Sequence, residues 1–119
     1  MMMMITDMNW KSIAKGVEAR RLAAVESENY ELAAELRDFQ NMISHHLLGY
    51  EVDSIKLFDV LYDYCIRFTE LLSATEDEEE QLYLLTFKII EDSEIEIAFF
   101  VTHEYLLKKY EDTNRNSDV

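Results

Sequence analysis

The 119-residue chain contains no proline, two glycines and one cysteine. Folds built from many short strands and tight turns draw on glycine and proline for their special backbone angles, so this scarcity points towards helices. A single cysteine, Cys65, allows no intrachain disulfide and no cysteine-rich zinc site, and suits a reducing compartment. Cations are also short: eleven Lys and Arg stand against twenty-five Asp and Glu, a formal net charge of −14. Such a surface repels phosphate backbones, so direct nucleic-acid binding is not expected, whereas a basic protein surface would be attracted. The longest apolar run in the body is "IAFFV", residues 97–101, far too short to span a bilayer. The opening "MMMMITD" has neither the basic start nor the apolar stretch of a signal peptide. These absences together predict a cytoplasmic protein with no membrane segment.

What is present is a 49% hydrophobic chain with 30% charged residues, enough apolar material for the core of one small domain. The charge is uneven. Residues 1–43 carry five basic and seven acidic side chains, and residues 44–119 carry six and eighteen, so the second part holds −12 of the total.

Apolar spacing predicts a first helix from about Met8 to Glu26, capped by Thr6 or Asp7, with Trp10, Ile13, Val17 and Ala24 on one face and Leu22 and Val25 widening it. "ESEN" (26–29) reads as a turn, and a second helix follows from about Tyr30 to His45 with Leu32, Leu36, Phe39 and Ile43 in register. The pair forms an antiparallel hairpin. A third helix, about Ser54 to Ser73 with Asp53 as its cap, has two adjacent apolar rows and should be covered on more than one side. "TEDEEE" (75–80) has the spacing of a capping box, Thr75 with Glu78, and predicts a fourth helix; Ser93 with Glu96 predicts a fifth, through about Tyr110. "LYLLTFKII" and "IEIAFFVTH" are rich enough in β-branched and aromatic residues to pair as strands instead, but no glycine or Asn-Gly marks a turn between them. The expected fold is therefore all-α: a hairpin over residues 1–46, packed on or beside a small acidic helical bundle over 47–112, with a frayed tail over 113–119.

Within the second helix, "ENYELAAELRD" (28–38) sets Ala33 and Ala34 beside an adjacent Arg37-Asp38 pair. Neither charge has an opposite partner at i±3 or i±4, and helix neighbours point about 100° apart, so the two should not pair with each other. An arginine without a local partner suits a carboxylate across an interface. The stretch resembles the UVR motif, the helical hairpin of the excision-repair proteins UvrB and UvrC, over about residues 19–43; similar hairpins occur in the unfoldase ClpC and its regulator McsA. The family pattern is an aromatic residue and glutamate, a pair of alanines, an aliphatic residue and Arg-Asp, matched here by Tyr30-Glu31, Ala33-Ala34, Leu36 and Arg37-Asp38. Gln40 departs from it where an aliphatic residue is usual, and Leu32 where a polar one is frequent. The rest of the chain has no such likeness, and no UvrB helicase or UvrC nuclease motif is present.

The resemblance implies a protein–protein contact module, with Tyr30, Glu31, Ala33, Ala34, Leu36, Arg37, Asp38 and Phe39 as partner-binding residues. No phosphate loop, nucleophile elbow or His-Glu-x-x-His helix occurs, and His45 and His46 diverge on a helix, so no enzyme, metal or cofactor is expected. The functional expectation is an adaptor or regulator that binds itself, as a homodimer, or a bacterial partner protein. The alternative is an acidic inhibitor of phage or mobile-element type that imitates nucleic acid and blocks a basic cleft.

Overall fold

A computed structural model describes residues 9–89 and 96–117. It contains helices α1 (Trp10–Glu26), α2 (Tyr30–Leu47) and α3 (Ser54–Phe68), strands β1 (Glu70–Asp77), β2 (Leu82–Lys88) and β3 (Glu96–Thr102), and helix α4 (His103–Ser117). The fold is thus α+β, and the all-α expectation is corrected by a three-stranded antiparallel sheet in the order β1-β2-β3. Helix α3 stops at Phe68 rather than Ser73, and the segment expected to start a fourth helix is a strand and its turn. Asp77 Oδ1 accepts from the Glu80 backbone N–H at 3.1 Å, and Gln81 takes a left-handed φ of 56° before β2 begins. The acidic run therefore resembles a helix start only because a single tight turn uses the same local hydrogen bond.

Strands β2 and β3 are the two β-branched and aromatic stretches, paired from Leu82↔Thr102 to Lys88↔Glu96. The connection runs over residues 89–95, long enough to need no two-residue glycine turn; the expected cap at Ser93 lies outside the described residues. Period-2 burial is clear in β3, where Ile97, Phe99 and Val101 are buried and Ala98 and Phe100 exposed. In β1 all eight residues are exposed.

Helix α3 lies at the centre, with Leu57, Phe58, Leu61, Tyr64 and Cys65 buried; of the other residues expected in its two apolar rows, Ile55 is exposed, and Leu71 and Leu72 are exposed on β1. Asp53 caps it, accepting from the Ile55 and Lys56 amides. On the sheet side Phe58 meets Phe99 edge-on at 5.3 Å between centroids, and Phe99 stacks on Phe87 at 5.5 Å. On the hairpin side Tyr64 meets Phe39 at 5.4 Å. One continuous core runs from Trp10 to Val101 through these residues.

Helix α4 is fastened to α3 by a small polar and aromatic latch. Tyr105 packs against Phe58 and Tyr62, each at 5.3 Å. Its hydroxyl donates to Asp59 at 2.7 Å, and Lys109 reaches Asp59 at 2.7 Å and Asp63 at 3.0 Å. Burial pushes the Asp59 carboxyl up, but hydrogen bonds from Lys109 and Tyr105 outweigh it, so its pKa is lowered overall. Burial lowers that of Lys109, and the two carboxylates more than reverse this, so it is raised.

The depressed Asp59 lends stability that is present above the unfolded carboxylate pKa of about 3.9 and is lost as pH falls through the lower folded value. The raised Lys109 lends stability that is present below about 10.4 and lost only as pH rises through its folded value. Acidification below about pH 4 should therefore loosen α4 selectively. Amide exchange in α4, corrected for its intrinsic rate, is expected to accelerate before that of α3, and Asp59→Asn should show the faster exchange already at neutral pH. Simultaneous loss of α3 and α4 protection would contradict this.

Candidate functional site

The hairpin is built around a turn in which one residue serves both helices. The α1 helix ends with the Glu28 N–H donating to Val25 O at 3.0 Å and the Asn29 N–H donating to Ala24 O at 2.8 Å, a Schellman closure. Asn29 then starts α2: its side chain accepts from the Leu32 amide at 3.3 Å and its carbonyl from Ala33 at 3.0 Å. The closure sets Glu28 at a left-handed φ of 62°, where glycine is usual. At the far end of α2 the same motif recurs with a glycine in place, Gly49 at φ 85°, its N–H bonded to His46 O and that of Tyr50 to His45 O. At the start of α1 the cap is Asn9, which accepts from Ser12 at 3.3 Å; Thr6 and Asp7, expected there, lie outside the described residues.

The facing sides of the hairpin bury Ile13, Gly16, Val17 and Ala24 of α1 against Ala33, Leu36, Phe39 and Ile43 of α2. Gln40, the polar departure from the family pattern, has a role inside the hairpin: it accepts from Arg21 Nε at 3.0 Å. Leu32, the other departure, is half-buried against the core.

The hairpin docks within its own chain. Arg20 donates from Nη2 to the Phe68 carbonyl at 3.1 Å, at the end of α3, and its guanidinium lies 4.8 Å from the Phe68 ring centroid. Arg67 approaches the same ring at 5.0 Å and bridges to Glu35 of α2 at 3.0 Å. The sequence reading missed Arg20, Arg21 and Arg67. Their signal was weak: Arg20 has no carboxylate at i±3 or i±4, while Arg21 has Glu18 and Arg67 has Asp63 and Glu70 there, so local spacing suggested no partner for the first and ordinary helix pairs for the others.

This docking divides the residues expected to bind a partner. Ala33, Leu36 and Phe39 are buried in the chain's own core. Tyr30 is 64% exposed, Glu31 is exposed and Ala34 half-buried. Arg37 and Asp38 are exposed, and here the structure corrects the sequence argument: Arg37 Nη2 comes within 3.4 Å of Asp38 Oδ1. The long arginine side chain bends back to its neighbour. With both groups in water, such a pair contributes little and is easily exchanged for an outside partner. Leu22 and Val25, assigned to the buried face, are instead 51% and 43% exposed, and they lie at the same turn end of the hairpin as Tyr30. Beside α2, a groove of about 480 Å³ opens towards α3, with Asp38 and Arg67 on its wall and Phe39, Met42 and Tyr64 among its apolar lining.

Cys65 is fully buried, and burial pushes its thiol up to about 12 despite the Thr69 hydroxyl acting the other way. It is a thiol, not a thiolate, at neutral pH, and chemically quiet. Among the described residues no three His, Cys, Asp or Glu side chains gather as a metal site, and no helix is long and apolar enough to cross a membrane.

Residues 11–44 match the family model of the UVR, or UvrB/uvrC, motif. The match takes in both helices of the hairpin, and so begins earlier than the stretch that carried the resemblance. In UvrB and UvrC this motif mediates protein–protein interaction. Neither the curated proteins nor the solved structures yield a match to the chain.

Glu28→Gly should stabilise the protein. It removes a left-handed penalty of about 1–2 kcal/mol and adds roughly 0.5–1 kcal/mol of unfolded-state entropy, for a net gain of about 0.5–1 kcal/mol. Urea denaturation followed by circular dichroism measures this; a loss of stability would show that the turn is held in another conformation.

Proposed function

We propose that the protein is a non-enzymatic adaptor or regulator whose UVR hairpin binds a partner protein. The observation that carries this reading is the family match over residues 11–44. Its support in the geometry is the division of the motif: its apolar residues fasten the hairpin to α3, while Tyr30, Glu31, Arg37 and Asp38 face solvent as a polar and aromatic row. Exposed Leu22 and Val25 extend the surface at its turn end. A fork-shaped guanidinium held, among the described residues, by an exposed carboxylate can change partners at small cost, which suits reversible contact. The occupant is a bacterial protein or a second copy of this hairpin in a homodimer, and the cytoplasm is the compartment that fits one buried free thiol.

A second reading draws on one observation: Glu76, Asp77, Glu78, Glu79 and Glu80 are all exposed where β1 turns into β2. An acidic inhibitor that imitates nucleic acid would use such a projection against a basic cleft.

The two readings separate cleanly. Pull-down from bacterial lysate and light-scattering mass, run on wild type and Arg37→Glu, should show a partner or dimer that weakens about tenfold or more in the variant, as for a lost charged contact at an interface centre. The helical signal should not change. Partners retained by Arg37→Glu but released by moderate salt would sink the hairpin reading and favour the acidic one.

A further inference from the structure

Strand β1 ends the sheet order, and all eight of its residues are exposed. On one side it pairs with β2, from Glu70↔Lys88 to Asp77↔Leu82. Among the described residues no other strand pairs with its outer side. An antiparallel strand turns the N–H and C=O groups of alternate residues to each edge, so this outer edge is a row of groups able to receive an added strand. The register break between Leu71 and Ser73 confines the regular part to residues 73–77.

Charge decides what can pair there. In an antiparallel pairing of two β1 strands centred between Ser73 and Ala74, Glu70 of each copy would face Asp77 of the other. Like charges placed directly opposite destabilise a ladder, and the exposed Glu78, Glu79 and Glu80 of the turn add to the repulsion. The same acids favour a strand of opposite sign. Leu71 and Leu72, 51% and 45% exposed, offer apolar contact at the other end.

We propose that β1 is a second docking site, which takes an extended segment of a partner protein by strand addition. That segment places lysine or arginine beside the Glu76–Glu80 end and apolar side chains beside Leu71 and Leu72. The edge supplies the hydrogen bonds and the acids choose the partner, a form of recognition in which main-chain pairing gives affinity and side chains give specificity. The site shares no residue with the hairpin surface.

The test is a titration of the full chain with a peptide of roughly ten residues alternating valine and lysine, long enough to span the strand. Two control peptides accompany it, one N-methylated at alternate residues and one with glutamate in place of lysine. Saturable binding is expected, with amide exchange slowed at residues 73–77. The N-methylated peptide, its charge unchanged but its edge donors removed, should bind about tenfold weaker or worse, and the glutamate peptide not at all. The combined change Glu78→Lys, Glu79→Lys, Glu80→Lys should weaken binding about tenfold with an unaltered circular dichroism spectrum. Arg37→Glu should leave the affinity as it was, so this proposal and the hairpin reading fail separately. No binding, protection elsewhere on the chain, or equal affinity for the N-methylated peptide would overturn the proposal, the last by showing attraction of charge without strand pairing.

Discussion

The burial of α3 from both sides is the constraint on which the rest of the molecule depends. Alone, the α1–α2 hairpin is too small to hide its own apolar surface, and a three-stranded sheet with one apolar face has the same difficulty. Helix α3 solves both at once. Tyr64 receives Phe39 of the hairpin, Phe58 receives Phe99 of the sheet, and Leu57, Leu61 and Cys65 between them are fully buried. The aromatic contacts continue to Tyr105, so α4 is tied to the same helix. Two elements that could not stand alone become one core.

That arrangement explains why the UVR hairpin keeps some of its motif for itself. A hairpin docked on α3 must use Leu36, Phe39 and Ile43 inward, and Arg20 secures the junction by bonding a carbonyl at the end of α3 while covering the Phe68 ring. What is left for the outside is the row from Tyr30 to Asp38. Gln40 fits the same picture: a polar residue where the family favours an apolar one is satisfied by Arg21 across the hairpin, not by a partner. The acidic second half of the chain gathers five of its carboxylates on the β1–β2 projection, away from the motif's exposed row in sequence and on a different element.

Where burial is periodic, the sequence was readable. Helices α2 and α3 have wide apolar faces and side-chain caps at Asn29 and Asp53; α2 fell close to its expected bounds, and α3 began where expected but gave its last five residues to the loop and β1. The face of α1 was less clear, since Leu22 and Val25 flank the buried Ala24 yet are themselves exposed. Strands β2 and β3 carried their signal in β-branched and aromatic residues, but a long connection removed the turn signature that would have decided for them. Strand β1 had no signal to give: with both faces in water it shows no alternation, and its Thr75–Glu78 spacing imitates a helix cap. At the candidate site, the motif residues were legible, whereas their division into buried and exposed sets was not, because it depends on the position of α3.

The protein thus joins a hairpin that matches the UVR motif to an α+β body that anchors it and leaves its charged row in solvent. The most direct test of that account replaces Tyr30 with a photoreactive amino acid and compares its cross-links in bacterial lysate with those from the same residue in place of Glu104, exposed on α4. The account predicts a discrete adduct, to a partner or a second copy, from position 30 and none from position 104. Adducts from position 104 alone, with position 30 silent, would contradict it.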